Sequence, residues 1–95
     1  MRLEVSVAAE ADIEEMYVIG VSNFGLDQAD RYMAGLLSLF STIADNPMIG
    51  RVRDEVRPPV RLFPYEAHHV FYDVVGETVV IQRLLHGSAD WTSQL

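Results

Sequence analysis

The side chains best suited to chemistry lie in the second half of the chain. They are the arginines Arg57, Arg61 and Arg83 and the histidines His68, His69 and His86. An arginine fork holds phosphate or carboxylate oxygens in paired hydrogen bonds, and a histidine moves protons near neutral pH. Arg61, Arg83 and His86 together would suit phosphodiester chemistry, with His86 as the acid or base. The plainer alternative is that the arginines pair with Asp73, Glu66 or Asp90 while His86 closes the end of a sheet. Metal chemistry has little support. His68 and His69 are adjacent, so in a strand they point to opposite faces. No HxH, HExxH or Cys/His spacing occurs, and the chain has no cysteine. Ser88 and Ser93 lack a Gly-x-Ser-x-Gly setting, and no glycine-rich phosphate loop leads into a helix. No metal or other cofactor is expected.

Size and charge narrow the classes further. The 95 residues suffice for one domain, 1–95, with a modest core. Seven arginines and no lysine face 14 acids, for a net charge of −7. Residues 1–50 hold only Arg2 and Arg31 against eight of those acids. Such a chain does not attract nucleic acid through its overall field. The acidic half is either a solvated helical surface or a surface that meets a basic partner. The absence of cysteine fits a reducing cytoplasm, and neither a signal peptide nor a membrane span is legible.

The elements that must position these residues follow from periodicity. Leu3, Val5 and Val7 alternate with polar residues, the pattern of a half-buried strand, and Ser6 is a candidate helix cap. Ile13, Met16, Tyr17, Gly20, Val21 and Phe24 form a stripe on a helix from Ala8 to Phe24, which Gly25 ends. Ala29, Tyr32, Met33, Leu36, Phe40 and Ile43 form the stripe of a second helix, with Asp27 as its candidate cap. Pro47 stops it, and the one-glycine link folds the two helices into a hairpin. Residues 48–59 read as a loop with a short extended piece. Val60–Tyr65, His68–Val74 and the apolar run from Val79 read as an antiparallel meander, with Pro64 at an edge or bend. The expected fold is α+β in the order β-α-α-β-β-β, the hairpin packed on one face of a small, mainly antiparallel sheet. In the last strand Val79, Ile81, Arg83 and Leu85 should share one face, with Val80, Gln82 and Leu84 on the other. Both faces are apolar, so either the chain's own tail or a partner covers the second. Trp91, in a short polar tail, either folds back as that cover or stands out as a binding anchor.

Several pieces, in order and nearly end to end, resemble the ParE toxins of the RelE/ParE superfamily. They are Ala8-x-x-Ala11-Asp12-Ile13, Phe24-Gly25-x-x-Gln28-Ala29-x-x-Tyr32, Asn46-Pro47-x-x-Gly50, Val56-Arg57, His69-Val70-Phe71-Tyr72 and Ile81-x-Arg83-Leu84-Leu85-His86-Gly87-x-x-Asp90-Trp91. The resemblance implies the toxic half of a bacterial type II toxin–antitoxin pair. It further implies a protein that inhibits DNA gyrase by binding rather than as a catalyst. A ParD-like antitoxin would neutralise it in a hetero-oligomer and would alone bring operator DNA to the complex. On this resemblance the antitoxin would contact Arg57, Arg61, Arg83, Met16, Tyr17 and Phe40, and the target would contact His86, Asp90 and Trp91. Two alternatives remain open within the superfamily. One is a ribosome-dependent mRNA endonuclease of the RelE type using Arg61, Arg83 and His86; the acidity and the missing lysines tilt away from it. The other is a non-toxic, partner-binding member of the fold.

Overall fold

The apolar run near the C-terminus needs neighbours on both edges and cover on both faces, and the chain supplies all four. In the computed structural model, which describes residues 1–95, the elements are β1 (Arg2–Val5), α1 (Val7–Phe24), α2 (Leu26–Asp45), β2 (Arg51–Arg53), β3 (Val60–Tyr65), β4 (His68–Val75) and β5 (Thr78–His86). A short 3-10 turn, Trp91–Ser93, follows. The five strands form one sheet in the order β1-β5-β4-β3-β2. The β3-β4-β5 meander is antiparallel, as its turn signals predict, and β1 adds in parallel beside β5. The parallel join is what a helical crossover permits.

Ser6 ties three of these parts together. Its hydroxyl oxygen accepts the Ala9 N–H at 3.0 Å and so caps α1. The same hydroxyl donates to the Gln82 carbonyl at 2.7 Å, and the Ser6 N–H donates to the Ile81 carbonyl at 2.9 Å. The strand therefore ends at Val5, two residues sooner than its alternation suggests, and Val7 becomes an exposed first residue of the helix. Gly25 alone links the helices, at φ +88°, where a side chain would be strained. Its N–H closes α1 on the Val21 carbonyl and its carbonyl accepts the first turn of α2. Asp27 falls inside α2 and makes no cap; the cap position is Gly25.

The main core lies between the hairpin and the sheet. Leu36, Phe40 and Ile43 of α2 and Ala9 of α1 pack on Val70, Tyr72, Val79, Ile81 and Leu84. The α2 stripe is as its spacing predicts. The α1 stripe is half-buried from Ile13 to Val21, but Phe24 is exposed because the helix runs past the end of the sheet. Tyr72 carries a polar join within this core. Its hydroxyl donates to the Pro47 carbonyl at 2.8 Å and accepts the Gly50 N–H at 2.7 Å. A Cβ on Gly50 would stand 2.5 Å from that oxygen, so the turn after α2 needs glycine.

The last strand departs from simple alternation. Phe71 pairs with Arg83 while the next residue, Tyr72, pairs with Ile81, so Gln82 is an extra residue in a bulge. The bulge shifts the phase by one. Leu84 thereby joins Val79 and Ile81 under the helices, and Leu85 turns to the opposite face. On that opposite face Val60, Leu62, Phe71 and Leu85 form a second, smaller core, covered by Val56, Ala89 and Trp91. The chain's own tail is thus the cover, and the Trp91 ring lies 5.2 Å from Phe71.

Candidate functional site

β1 pairs with β5 only as far as Ile81, so beyond that point the β1-side edge of β5 has no strand beside it. Asp12, on the second turn of α1, fills that gap. One carboxylate oxygen accepts the Leu84 N–H at 3.0 Å and Arg83 Nε at 2.7 Å; the other accepts Arg83 Nη2 at 2.9 Å. The carboxylate's bidentate hydrogen bonds raise the affinity of the Arg83 guanidinium for its proton. Arg83 Nη1 donates to the Gln94 carbonyl at 2.8 Å, so the same side chain also holds the C-terminal tail.

Beside this clasp runs a groove of about 730 Å³ between the helical hairpin and the ends of β4 and β5. Met16, Tyr17 and Ile19 line it from α1, Tyr32 from α2, and His68, Arg83 and His86 from the strands. The α1 side is largely apolar because α1 carries more hydrophobic surface than the sheet can cover. Ile19 and Phe24 are 50% and 65% exposed, which is high for groups of this size in a chain without a partner. The strand side is polar and ordered. His68 and His86 are register partners on β4 and β5, and their rings meet edge to face at 5.5 Å. Tyr32 also meets His68 edge to face, with its hydroxyl 2.7 Å from His68 Nδ1. Burial, and then the neighbouring His86 and His69 rings, lower the proton affinity of His68 below the ordinary histidine value. Burial raises the Tyr32 phenol, and the Ala67 N–H bonded to its oxygen partly offsets that.

The residues singled out by sequence fall into three groups. Met16, Tyr17, Arg83 and His86 converge on the groove. Phe40 does not: it is 1% exposed in the main core and has no surface to offer a partner. Arg61 is spent on structure, since Nη1 donates to the Gly50 carbonyl at 2.8 Å and Nη2 reaches Met48 Sδ at 3.0 Å. Arg57 is exposed on the loop before β3, on the other side of the sheet, in a smaller cleft with Gln82 and Leu95. Trp91 is half-buried over Phe71 with the Arg53 guanidinium 4.9 Å above its ring. Asp90 orders that turn: Thr92 donates to its carboxylate at 2.9 Å and Ser93 to its carbonyl at 3.0 Å.

Arg61, Arg83 and His86 do not form one site. Arg61 pairs with Tyr72 on β4, whereas His86 pairs with His68, four residues along the same strand. That separation is roughly 13 Å at the usual rise of a strand. Neither arginine bonds to Asp73, Glu66 or Asp90; Arg83 takes Asp12 and Arg61 takes backbone carbonyls. The adjacent histidines do split, His68 toward the helices and His69 against Phe71 on the other face. Sequence reading missed Tyr32, Ser88 and Asp12 as site-forming residues. Tyr32 and Asp12 lay in helical patterns that read as core and as dipole complement, and only the strand register brings them to the histidines and to Arg83.

A family model described as "ParE toxin of type II toxin-antitoxin system, parDE" matches residues 3–91. The chain belongs to the ParE toxin family. It is 39% identical over 90 residues to Toxin ParE1 of Mycobacterium tuberculosis, covering 94% of this chain and 92% of that one. Toxin ParE3 of Caulobacter vibrioides is 31% identical over 84 residues, covering 88% and 84%. A solved structure described as "Chromosomal ParDE TA system from P. aeruginosa" superposes with a TM-score of 0.76 over 90% of this chain and 95% of that one. At 22% identity that likeness speaks for the fold, two helices on an open five-stranded sheet. Membership of the ParE family makes the chain the toxin of a type II toxin–antitoxin system. No helix is long and apolar enough to cross a membrane.

Proposed function

We propose that this ParE-family toxin acts by binding DNA gyrase in the cytoplasm, and that a ParD-like antitoxin neutralises it by laying an amphipathic segment in the hairpin groove. The groove carries the antitoxin reading. It is unfilled by the chain, largely apolar along α1 and polar along the strands, which is what a helix-in-groove partner needs. Met16, Tyr17 and Arg83 are the contacts proposed for the antitoxin. Phe40 is withdrawn from that set because the core encloses it, and Arg61 because the Gly50 carbonyl holds it. Operator DNA would be reached through the antitoxin, since the toxin's own charge is −7.

A binding mode of action is favoured over RNA cleavage because the side chains for acid–base and phosphate work are held apart. The target-facing residues proposed earlier also change in weight. His86 and Asp90 are exposed, whereas the Trp91 ring is occupied with Phe71.

Plasmid supercoiling by purified gyrase, with linear DNA scored after detergent and protease, tests the reading. Inhibition with accumulated linear DNA, relieved by the antitoxin, is the expected result. Unimpaired supercoiling over a broad range of folded toxin would remove gyrase as the target.

A further inference from the structure

The two histidines of the groove have defined tautomers. The Ser88 N–H lies 3.2 Å from His86 Nδ1, and a backbone N–H can only donate. The Ser88 hydroxyl lies 2.7 Å from the same atom. His86 Nδ1 is therefore an acceptor, and the neutral ring carries its proton on Nε2. At His68 the Tyr32 hydroxyl already accepts the Ala67 N–H at 3.2 Å. Its own proton has two acceptors in reach, His68 Nδ1 at 2.7 Å and the Tyr65 carbonyl at 3.4 Å. The nearer one takes it, so His68 also carries its proton on Nε2. Neither Nε2 atom has a hydrogen-bond partner in the chain. Two N–H donors on neighbouring strands thus end unpaired in the groove. These tautomers also disfavour a metal, because the lone pair it would need at each Nε2 is protonated.

We propose that His68 and His86 form a carboxylate-reading site, which takes one Asp or Glu side chain of the antitoxin segment between their two Nε2–H donors. This rests on the antitoxin reading above and gives its segment one specific contact. Arg83, which also lines the groove, adds positive charge, although it is shared with Asp12.

A carboxylate fits better than a neutral acceptor because His68 can gain charge. In the free groove, burial and the second ring oppose protonation of His68. A bound carboxylate offsets both, and the added proton goes to His68 Nδ1 while the Tyr32 hydroxyl turns to donate to the Tyr65 carbonyl at 3.4 Å. His86 Nδ1 keeps the Ser88 N–H, so His86 serves as a neutral donor. The other ionisable groups facing the pair are Tyr32 on α2, Tyr65 on β3, Glu66 in the turn before β4, His69 behind the strand, Asp12 and Glu15 on α1, and Arg83 on β5. The acids favour protonated His68, and the one cation that opposes it, Arg83, is paired with Asp12. Binding therefore takes up protons, and affinity rises as pH falls through the histidine range.

The test is the affinity of the purified toxin for its antitoxin by calorimetry at about pH 7.5 and about pH 5.5, either side of the unperturbed histidine value. Affinity about tenfold tighter at the lower pH is expected, which corresponds to about one unit of bound-state shift. His68→Gln keeps a side-chain N–H but cannot gain charge, so it should bind with a flattened pH dependence. Circular dichroism checks that the variant is folded. Equal wild-type affinity at the two pH values, or a slope that survives in His68→Gln, overturns the carboxylate site and leaves the antitoxin reading intact. A wild-type toxin that fails to bind the antitoxin at either pH overturns both. Nitrogen-15 spectra of the free toxin give an independent check, since a protonated Nδ1 on either ring contradicts the proposal.

Discussion

The two faces of the sheet are closed by different kinds of material. Under the helices, nine buried residues from α1, α2, β4 and β5 form one continuous core. On the other face only Val60, Leu62, Phe71 and Leu85 are buried, and their cover comes from Val56, Ala89 and Trp91 in irregular segments. The first face is built from periodic elements, so each contact is backed by others on the same stripe. The second depends on single residues whose loops are held by a few polar bonds. The fold should therefore tolerate loss of cover on the open face far better than a hole under the helices, and mutation can measure the gap.

The largest effect is expected under the helices. Phe40→Ala removes a fully buried ring from the centre of the main core and should destabilise by about 3–5 kcal/mol. Urea denaturation followed by far-ultraviolet circular dichroism reads it. Asp12→Ala comes next, at roughly 2 kcal/mol, because it strips a charged acceptor from Arg83 and from the Leu84 N–H together. It should also loosen the tail, since Arg83 holds Gln94. Faster hydrogen exchange at residues 88–95, with little change in α2, would mark Asp12 as the joint between the faces. Equal exchange in both regions would mean the clasp is decorative.

Trp91→Ala should cost about 1.5 kcal/mol, less than Phe40→Ala because the ring is only half-buried. Trp91 is the sole tryptophan, so its fluorescence reports the open face alone. In the wild type that signal should shift at lower urea than the helical signal does. Coincident transitions would show that the tail belongs to the main cooperative unit.

The same division explains what could be read from the sequence. The hairpin was legible because α2 repeats its apolar residues at three and four over five turns and Gly25 breaks the pattern cleanly. The meander was legible from its turns, such as Gly76-Glu77 between β4 and β5. The phase of β5 was not, since Val80, Leu84 and Leu85 give no polar residue to betray a bulge at Gln82. β2 was too short to announce itself: three residues, none of them buried. The groove was hardest of all. Met16 and Tyr17 read equally well as core, and His68 and His86 are 18 positions apart. Only the register of β4 on β5 makes them neighbours. Phe40 shows the converse limit, because a stripe residue cannot be assigned to core or partner until the sheet beneath it is known.

The smallest effect concerns the pH dependence of the free toxin, and it turns on the same histidine. His68 sits at the margin of the helix-covered face, and its proton affinity in the folded state is below the ordinary value of 6.5. The unfolded chain therefore binds this proton more readily than the folded one. Stability is then fully present above the unfolded value and is lost as pH falls from there toward the lower folded value. The free toxin should show a shallow decline in urea midpoint over that window, and His68→Gln should remove it. Trp91 packs on Phe71 on the other face, away from His68, so Trp91→Ala should leave the decline unchanged. The complex should behave in the opposite sense if a carboxylate meets His68, because the proton that weakens the free fold is the one that strengthens the bound state.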